Sequence, residues 1–164
     1  MARCLIVGCG CRGRSLAGEL AARGHAVRGT TRDPALVGEI EAVGAEALVG
    51  DPDRFATLAR AFDHVGVACL LLGSAIGSRE QLEALHGSRL EMLLTRMIDT
   101  TVRGVVYESA GSVDRELLAA GAARVREACE GSLIPYVLLG ADPGEPAEWL
   151  AAAVDGVEQV LSAP

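Results

Sequence analysis

The hexapeptide Gly8-Cys9-Gly10-Cys11-Arg12-Gly13 is the first place where residue type and spacing imply chemistry. Its three glycines fit G-x-G-x-x-G, the pattern of a turn whose backbone comes close to a pyrophosphate. In such a turn Gly8 makes the bend, Gly10 leaves room for the phosphates, and Gly13 lets a helix pack closely on a strand. A helix starting there adds free N–H groups and a positive dipole end. Cys11 and Arg12 lie inside the loop and join the candidate cofactor site. In a chain with 20 glycines the pattern alone means little. Its position gives it weight, because it follows an apolar run directly and opens a helical periodicity.

Dinucleotide sites choose their ribose at the end of the second strand. An acid there holds the 2′-hydroxyl of NAD, whereas an arginine accommodates the 2′-phosphate of NADP. Here that stretch reads Gly29-Thr30-Thr31-Arg32-Asp33, with Thr31 standing 18 residues after Gly13. Arg32 can bind a 2′-phosphate through a two-pronged, charge-assisted contact, with Arg12 as a second contact. Asp33 comes one or two positions late for the ribose, and before Pro34 it reads equally as a helix cap. The expected ligand is therefore NADP(H) in preference to NAD(H). Asp51 either accepts from the adenine amino group or caps the next helix. Leu72, Gly73 and Ser74 end the fourth apolar run, where small residues leave room for ribose and nicotinamide.

Other groups carry weaker signals. If the chain is an enzyme, Glu108, Ser109, Ser112 and His86 are its local acid–base resources, with Tyr107 beside them. His86 and Arg89 sit one turn apart, while His25 and His64 fall on the edge away from the cofactor. Cys9 and Cys11 form a C-x-C, but Cys4, Cys69 and His64 are scattered over other elements, so no metal site is expected. The cysteines read as small apolar packing groups. A thiolate at a helix N-terminus beside Arg12 and Arg14 leaves a redox role for Cys9 or Cys11 open.

The elements that must position these groups follow from periodicity. Apolar runs at 3–7, 26–30, 45–49, 65–72, 104–107 and 133–139 read as strands. Helical patterns start near Arg12 and stop at Gly24, open at Pro34, and cover 54–62, 80–98 with a break at Gly87, 114–130 and 147–161. The stripe Leu90, Leu93, Leu94, Met97, Ile98 suits burial on the sheet or a homodimer interface. Six strand–helix units in strict alternation predict an α/β fold, a Rossmann-type doubly wound parallel sheet of six strands in three αβα layers. The expected strand order is 3-2-1-4-5-6. No linker or repeat interrupts it, so residues 1–164 form one dinucleotide-binding domain.

Composition narrows the field further. With two Phe, two Tyr and one Trp, the core must be aliphatic. A net charge of −7 gives no support to nucleic-acid or anionic-membrane binding. All 15 cationic residues are Arg, so any chemistry that needs a lysine is excluded within this chain. No run is long enough for a signal segment or membrane span. A cytoplasmic protein with reduced cysteines is expected.

These segments resemble the extended and atypical short-chain dehydrogenase/reductase superfamily, in its NAD-dependent epimerase/dehydratase-like and NmrA-like branch. The resemblance rests on the glycine loop, on Gly24-His25-Ala26-Val27-x-Gly29-Thr30-Thr31-Arg32-Asp33, on Gly50-Asp51, and on Val105 to Ser112. Ile134 to Leu139 is similar to the family's sixth strand. The family's serine just after the fifth strand finds its nearest match in Ser109 or Ser112. Its Tyr-x-x-x-Lys pair has no counterpart, and its C-terminal substrate region is not matched. The resemblance thus implies either an NADP-dependent oxidoreductase acting on an unidentified small molecule or a non-catalytic NADP(H)-binding redox sensor or regulatory protein. S-adenosylmethionine is disfavoured by Gly13, by Arg32 and by the lack of an acid ending the second strand.

Overall fold

The computed structural model describes residues 1–164. Six strands form the sheet: β1 (Arg3–Val7), β2 (Ala26–Thr31), β3 (Glu46–Val49), β4 (Val67–Leu70), β5 (Gly104–Glu108) and β6 (Tyr136–Leu139). Their order is β3-β2-β1-β4-β5-β6, and every pairing is parallel. The helices are α1 (Cys11–Ala22), α2 (Val37–Ala42), α3 (Phe55–Leu58), α4 (Arg79–Leu85), α5 (Ser88–Ile98), α6 (Arg115–Gly131) and α7 (Pro146–Ser162). The doubly wound sheet expected from the alternation is the one that forms.

Both faces of the sheet are covered, which explains why its central strands read as unbroken apolar runs. On one face Leu16 and Leu20 of α1, Ile40 of α2 and Trp149, Val154 and Val157 of α7 pack against Cys4, Ile6, Cys69 and Val106. On the other, Leu58 of α3, Leu90, Leu93, Leu94 and Met97 of α5 and Val125 of α6 pack against Leu5, Val7, Leu70 and Tyr107. Side chains alternate across a strand, so Val106 and Glu108 belong to the first face, and Val105 and Tyr107 to the second.

Several boundaries differ from expectation. β4 covers only 67–70, and Leu71 and Leu72 lead out of the sheet towards the site. β6 begins at Tyr136, because Leu133 turns at φ 55° with its side chain in water and Pro135 has no N–H for the ladder. The fourth helical segment is two helices, α4 and α5, meeting at His86 and Gly87. Pro34 opens a 3₁₀ turn (Pro34–Leu36) ahead of α2. Ile98 leaves the α5 stripe and is partly exposed, while the other four residues are spent on the chain's own sheet.

Two polar side chains are built into this frame. Arg28 on β2 donates from Nη1 to the carbonyls of Ala61 (2.7 Å) and Asp63 (3.0 Å), tying the end of the turn after α3 to the sheet. Tyr107 lies fully buried beside α6, where Gly121 passes its hydroxyl. A Cβ at Gly121 would land on that oxygen. We therefore expect Gly121→Ala to destabilise the fold by about 1–3 kcal/mol, the usual cost of overpacking. Urea unfolding should show a lower midpoint at unchanged slope, and an unchanged midpoint would contradict this packing.

Candidate functional site

A cavity of about 460 Å³ opens at the C-terminal ends of β1, β2 and β4. This is the crevice where the winding of the sheet reverses and where ligands of such sheets bind. Gly8, Gly10, Cys11, Arg12, Gly13, Thr31, Arg32, Asp51, Leu72 and Ser74 all line it. Gly73 lies buried just behind. The volume lies within the usual range of small-molecule sites.

Each glycine of the loop has a distinct steric reason. Gly8 stands at φ +82°, a conformation that strains other residues, and a Cβ on it would meet the Leu71 carbonyl oxygen at 2.6 Å. At Gly13 a Cβ would press on Gly8 O at 3.1 Å and on Ile6 at 3.3 Å, so helix and strand could not approach as they do. Gly10 is different: nothing of the protein lies within 4 Å of where its Cβ would stand. No packing requires glycine there, and the open space belongs to the cavity. Gly10 is also the N-cap of α1 and offers no side-chain acceptor. The first N–H groups of the helix are thus open to a ligand, as a phosphate cradle requires.

At the β2 end Arg32 is exposed and makes no hydrogen bond within the chain. Thr31 Oγ1 accepts from the Asp33 N–H (3.1 Å). Asp33 caps the following turn, its Oδ1 accepting from Ala35 N at 2.9 Å. Asp51 Oδ1 accepts from Asp53 N (2.9 Å), a local turn and not a helix cap.

Arg12 differs from expectation. Its guanidinium turns away from β2 and reaches across β4, where Nη2 donates to both carboxylate oxygens of Glu108 at 3.1 Å. It also lies over the Trp149 ring, 5.4 Å from the centroid. The expected role as a second contact to a 2′-phosphate at β2 does not fit this direction. Glu108 itself is fully buried. Besides Arg12 it accepts from Gly73 N (2.9 Å) and from Trp149 Nε1 (2.9 Å). Nothing in the sequence marks this cluster, because its members come from β5, α1, α7 and the end of β4.

The remaining acid–base candidates are committed in a similar way. His86 is buried, with Nε2 3.0 Å from the Leu72 carbonyl and Nδ1 2.6 Å from the Tyr107 hydroxyl. A carbonyl only accepts, so Nε2 carries the proton and Tyr107 donates to Nδ1. Burial lowers the His86 pKa from its ordinary value and pushes that of Tyr107 up. Neither reaches the cavity as a proton carrier. Ser109 Oγ donates to Leu139 O at 3.2 Å. Ser109 and Ser112 line a second cleft, with Arg115 and Asp142, that meets the first at Ser74. Cys9 is packed under the loop, and burial raises its thiol to about 11, which removes it as a ready thiolate. No group of three or more His, Cys, Asp or Glu side chains is arranged to hold a metal ion.

This fold and this cavity define a Rossmann domain of the NAD(P)-binding type. The chain belongs to the TrkA-N domain family, which matches residues 4–87, just over half of its length. No curated protein matches it in sequence. Solved structures share its fold. A putative NAD-dependent epimerase/dehydratase from Bacillus halodurans superposes with a TM-score of 0.71 at 19% identity, over 87% of this chain and 71% of that one. A short-chain dehydrogenase/reductase superfamily protein from Agrobacterium tumefaciens, with bound NAD, gives 0.68 at 20% identity, over 83% and 48%. Triphenylmethane reductase from Citrobacter sp., complexed with NADP(H), gives 0.63 at 18% identity, again over 83% and 48%. This chain spans about half the length of several such relatives. No helix is long and apolar enough to cross a membrane.

Two outcomes are expected. Gly10→Ala should fold with an unchanged melting temperature yet bind a dinucleotide at least about tenfold more weakly, a loss of ~1.4 kcal/mol; calorimetric titration beside thermal melting separates the two effects. For His86 the neutral form is favoured in the folded state. Its contribution to stability is therefore complete above the ordinary pKa of 6.5 and is lost as pH falls below that towards the lowered folded value. Urea midpoints at about pH 5 and pH 7.5 should differ less for His86→Gln than for the unsubstituted protein.

Proposed function

We propose that this chain binds NADP(H) in the cavity at the C-terminal ends of β1, β2 and β4. The observation that carries the reading is Gly10, where backbone conformation and packing both tolerate a side chain and only the space above the loop is left to explain the glycine. Gly8 and Gly13 build the turn, the α1 N-terminus faces the pyrophosphate, and Leu72, Gly73 and Ser74 border the nicotinamide half. Arg32 is the residue placed to hold a 2′-phosphate, since it lines the cavity beside β2 with no competing partner in the chain. Thr31 stands where an NAD-selective acid would be. When bound, the nicotinamide supplies hydride transfer, and the protein supplies binding and orientation.

NAD(H) is the second reading for the cofactor, favoured by one observation. Asp33, Asp51 and Asp53 line the same end of the cavity as Arg32, so a 2′-phosphate would enter among carboxylates.

Two classes of activity remain to be compared: an oxidoreductase acting on a small molecule in the second cleft, and a redox sensor or regulatory protein without catalysis. The hydrogen bonding of Glu108, His86 and Ser109 supports the sensor, because none of the three is free to exchange a proton with a substrate. Ser112 is exposed and is the hydroxyl left for the oxidoreductase reading. A reducing, cytoplasmic setting suits the five unpaired cysteines.

The deciding experiment is titration with NADPH and NADH, by calorimetry and fluorescence, of the unsubstituted protein and of Arg32→Ala. We expect tighter binding of NADPH, weakened by ~1.5–3 kcal/mol in the variant, as for a lost charged hydrogen bond, with NADH little changed. Equal affinities that Arg32→Ala leaves alone would establish the NAD(H) reading. Absence of binding by either would overturn both.

A further inference from the structure

Arg12 raises a question that the glycine loop does not answer. Its Nη2 is fully used by Glu108, whereas Nε and Nη1 make no hydrogen bond within the chain. Nε is the one buried side-chain polar atom in the protein without a partner. An arginine held this way has a fixed direction, and since Nε is sealed from water, Nη1 is the donor left for a ligand. The clamp is built with some care, for Glu108 could be satisfied by Gly73 N and Trp149 Nε1, yet it also takes the guanidinium. Trp149 closes the other side by lying against the cation.

The direction carries the argument. Arg12 is the second residue of α1 and lines the cavity, but its guanidinium reaches past β4 towards β5. In a doubly wound sheet a dinucleotide lies across the crevice between the two halves, with its adenosine over β2 and its nicotinamide over β4 and β5. The phosphate on the nicotinamide side is the anionic group along that path. The carboxylate of Glu108 holds the guanidinium through both of its oxygens and prevents that side chain from swinging towards β2.

We propose that Glu108 and Trp149 are positioning residues that aim Arg12 at the nicotinamide-side phosphate of the dinucleotide. Two arginines then read two phosphate groups at opposite ends of one cavity, Arg32 the 2′-phosphate and Arg12 the pyrophosphate. This rests on the dinucleotide reading above and goes beyond it in assigning Glu108 and Trp149, neither of which lines the cavity. It also turns the single tryptophan of the chain into an internal reporter of site occupancy.

The test uses two fragments of the ligand that separate the two arginines. ADP-ribose carries the pyrophosphate and no 2′-phosphate, and adenosine 2′,5′-bisphosphate carries the 2′-phosphate and lacks the nicotinamide-side phosphate. Calorimetric titration is made with the full chain, Arg12→Gln, Glu108→Gln and Arg32→Ala. Arg12→Gln and Glu108→Gln should each weaken ADP-ribose by about tenfold or more while leaving the bisphosphate within about twofold, and Arg32→Ala should do the reverse. In the unsubstituted protein ADP-ribose should shift Trp149 emission and the bisphosphate should not, and Arg12→Gln should abolish the shift. Should Glu108→Gln fail to fold, Arg12→Gln and the emission of the unsubstituted protein still decide the matter. ADP-ribose binding that Arg12→Gln leaves unchanged, or an equal loss for both fragments in Arg12→Gln, overturns the assignment of Arg12. Failure of both fragments to bind while NADPH or NADH binds overturns this proposal alone; failure of the dinucleotides as well overturns the dinucleotide reading and this proposal with it.

Discussion

The carboxylate of Glu108 sits at the end of β5, sealed from water, and the arrangement of the site depends on satisfying it. Removing a charge from water costs several kcal/mol unless its partners are well placed. Here the partners come from three directions: the guanidinium of Arg12 from α1, the N–H of Gly73 at the end of β4, and the indole N–H of Trp149 from α7. Loss of the guanidinium would leave the buried carboxylate without its counter-charge, at a cost of about 3–5 kcal/mol for a broken buried pair. The glycine loop, the β4 exit and the first turn of α7 are thereby tied to one point. Close approach also explains Gly73, where a Cβ would collide first with the Ala110 carbonyl oxygen and then with the Glu108 side chain at 2.9 Å.

The preceding residue does similar work on the other face of the sheet. Tyr107 points towards α5 and α6 and donates to His86, whose opposite nitrogen holds the Leu72 carbonyl. Leu72 and Gly73 are neighbours in the chain: Glu108 holds Gly73 directly, and His86, itself held by Tyr107, holds Leu72. The backbone at the β4 end of the cavity is thus braced from both faces of the sheet. The same bracing consumes the groups that sequence reasoning offers as acids and bases. A site so arranged has few free proton carriers, and this is the physical support for the proposed sensor reading.

Charge distribution follows the same division. The protein is acidic overall, with 22 Asp and Glu against 15 Arg. Two arginines of the glycine loop and the β2 end line the cavity: Arg32 in water, and Arg12 turned towards β5 and anchored there. Arg32 is exposed and makes no ion pair in the chain, whereas Arg12, fixed by a carboxylate and an aromatic ring, has lost conformational freedom before a ligand arrives. The two therefore differ in kind as well as in position.

The α/β alternation, the strand order and the turn at Gly8-x-Gly10-x-x-Gly13 were legible in the sequence, because each is a local pattern: apolar runs, helical periodicity, and glycine where a backbone bends or is approached. The identity of Arg32 and Asp33 at the end of β2 was legible for the same reason. Short departures, such as the late start of β6 and the break between α4 and α5, reflect boundaries where propensity is weak and packing decides. What Arg12 does was not legible. Its partner Glu108 lies 96 residues away, and Trp149 lies a further 41 along the chain. No periodicity links such residues, and only folding the sheet brings α1, β5 and α7 to one place. Sequence alone determined that a glycine turn joins the first strand to the first helix; tertiary structure decided which charged groups line the cavity above it and which are paired within the protein, since a side chain's direction is set by the partners that satisfy it.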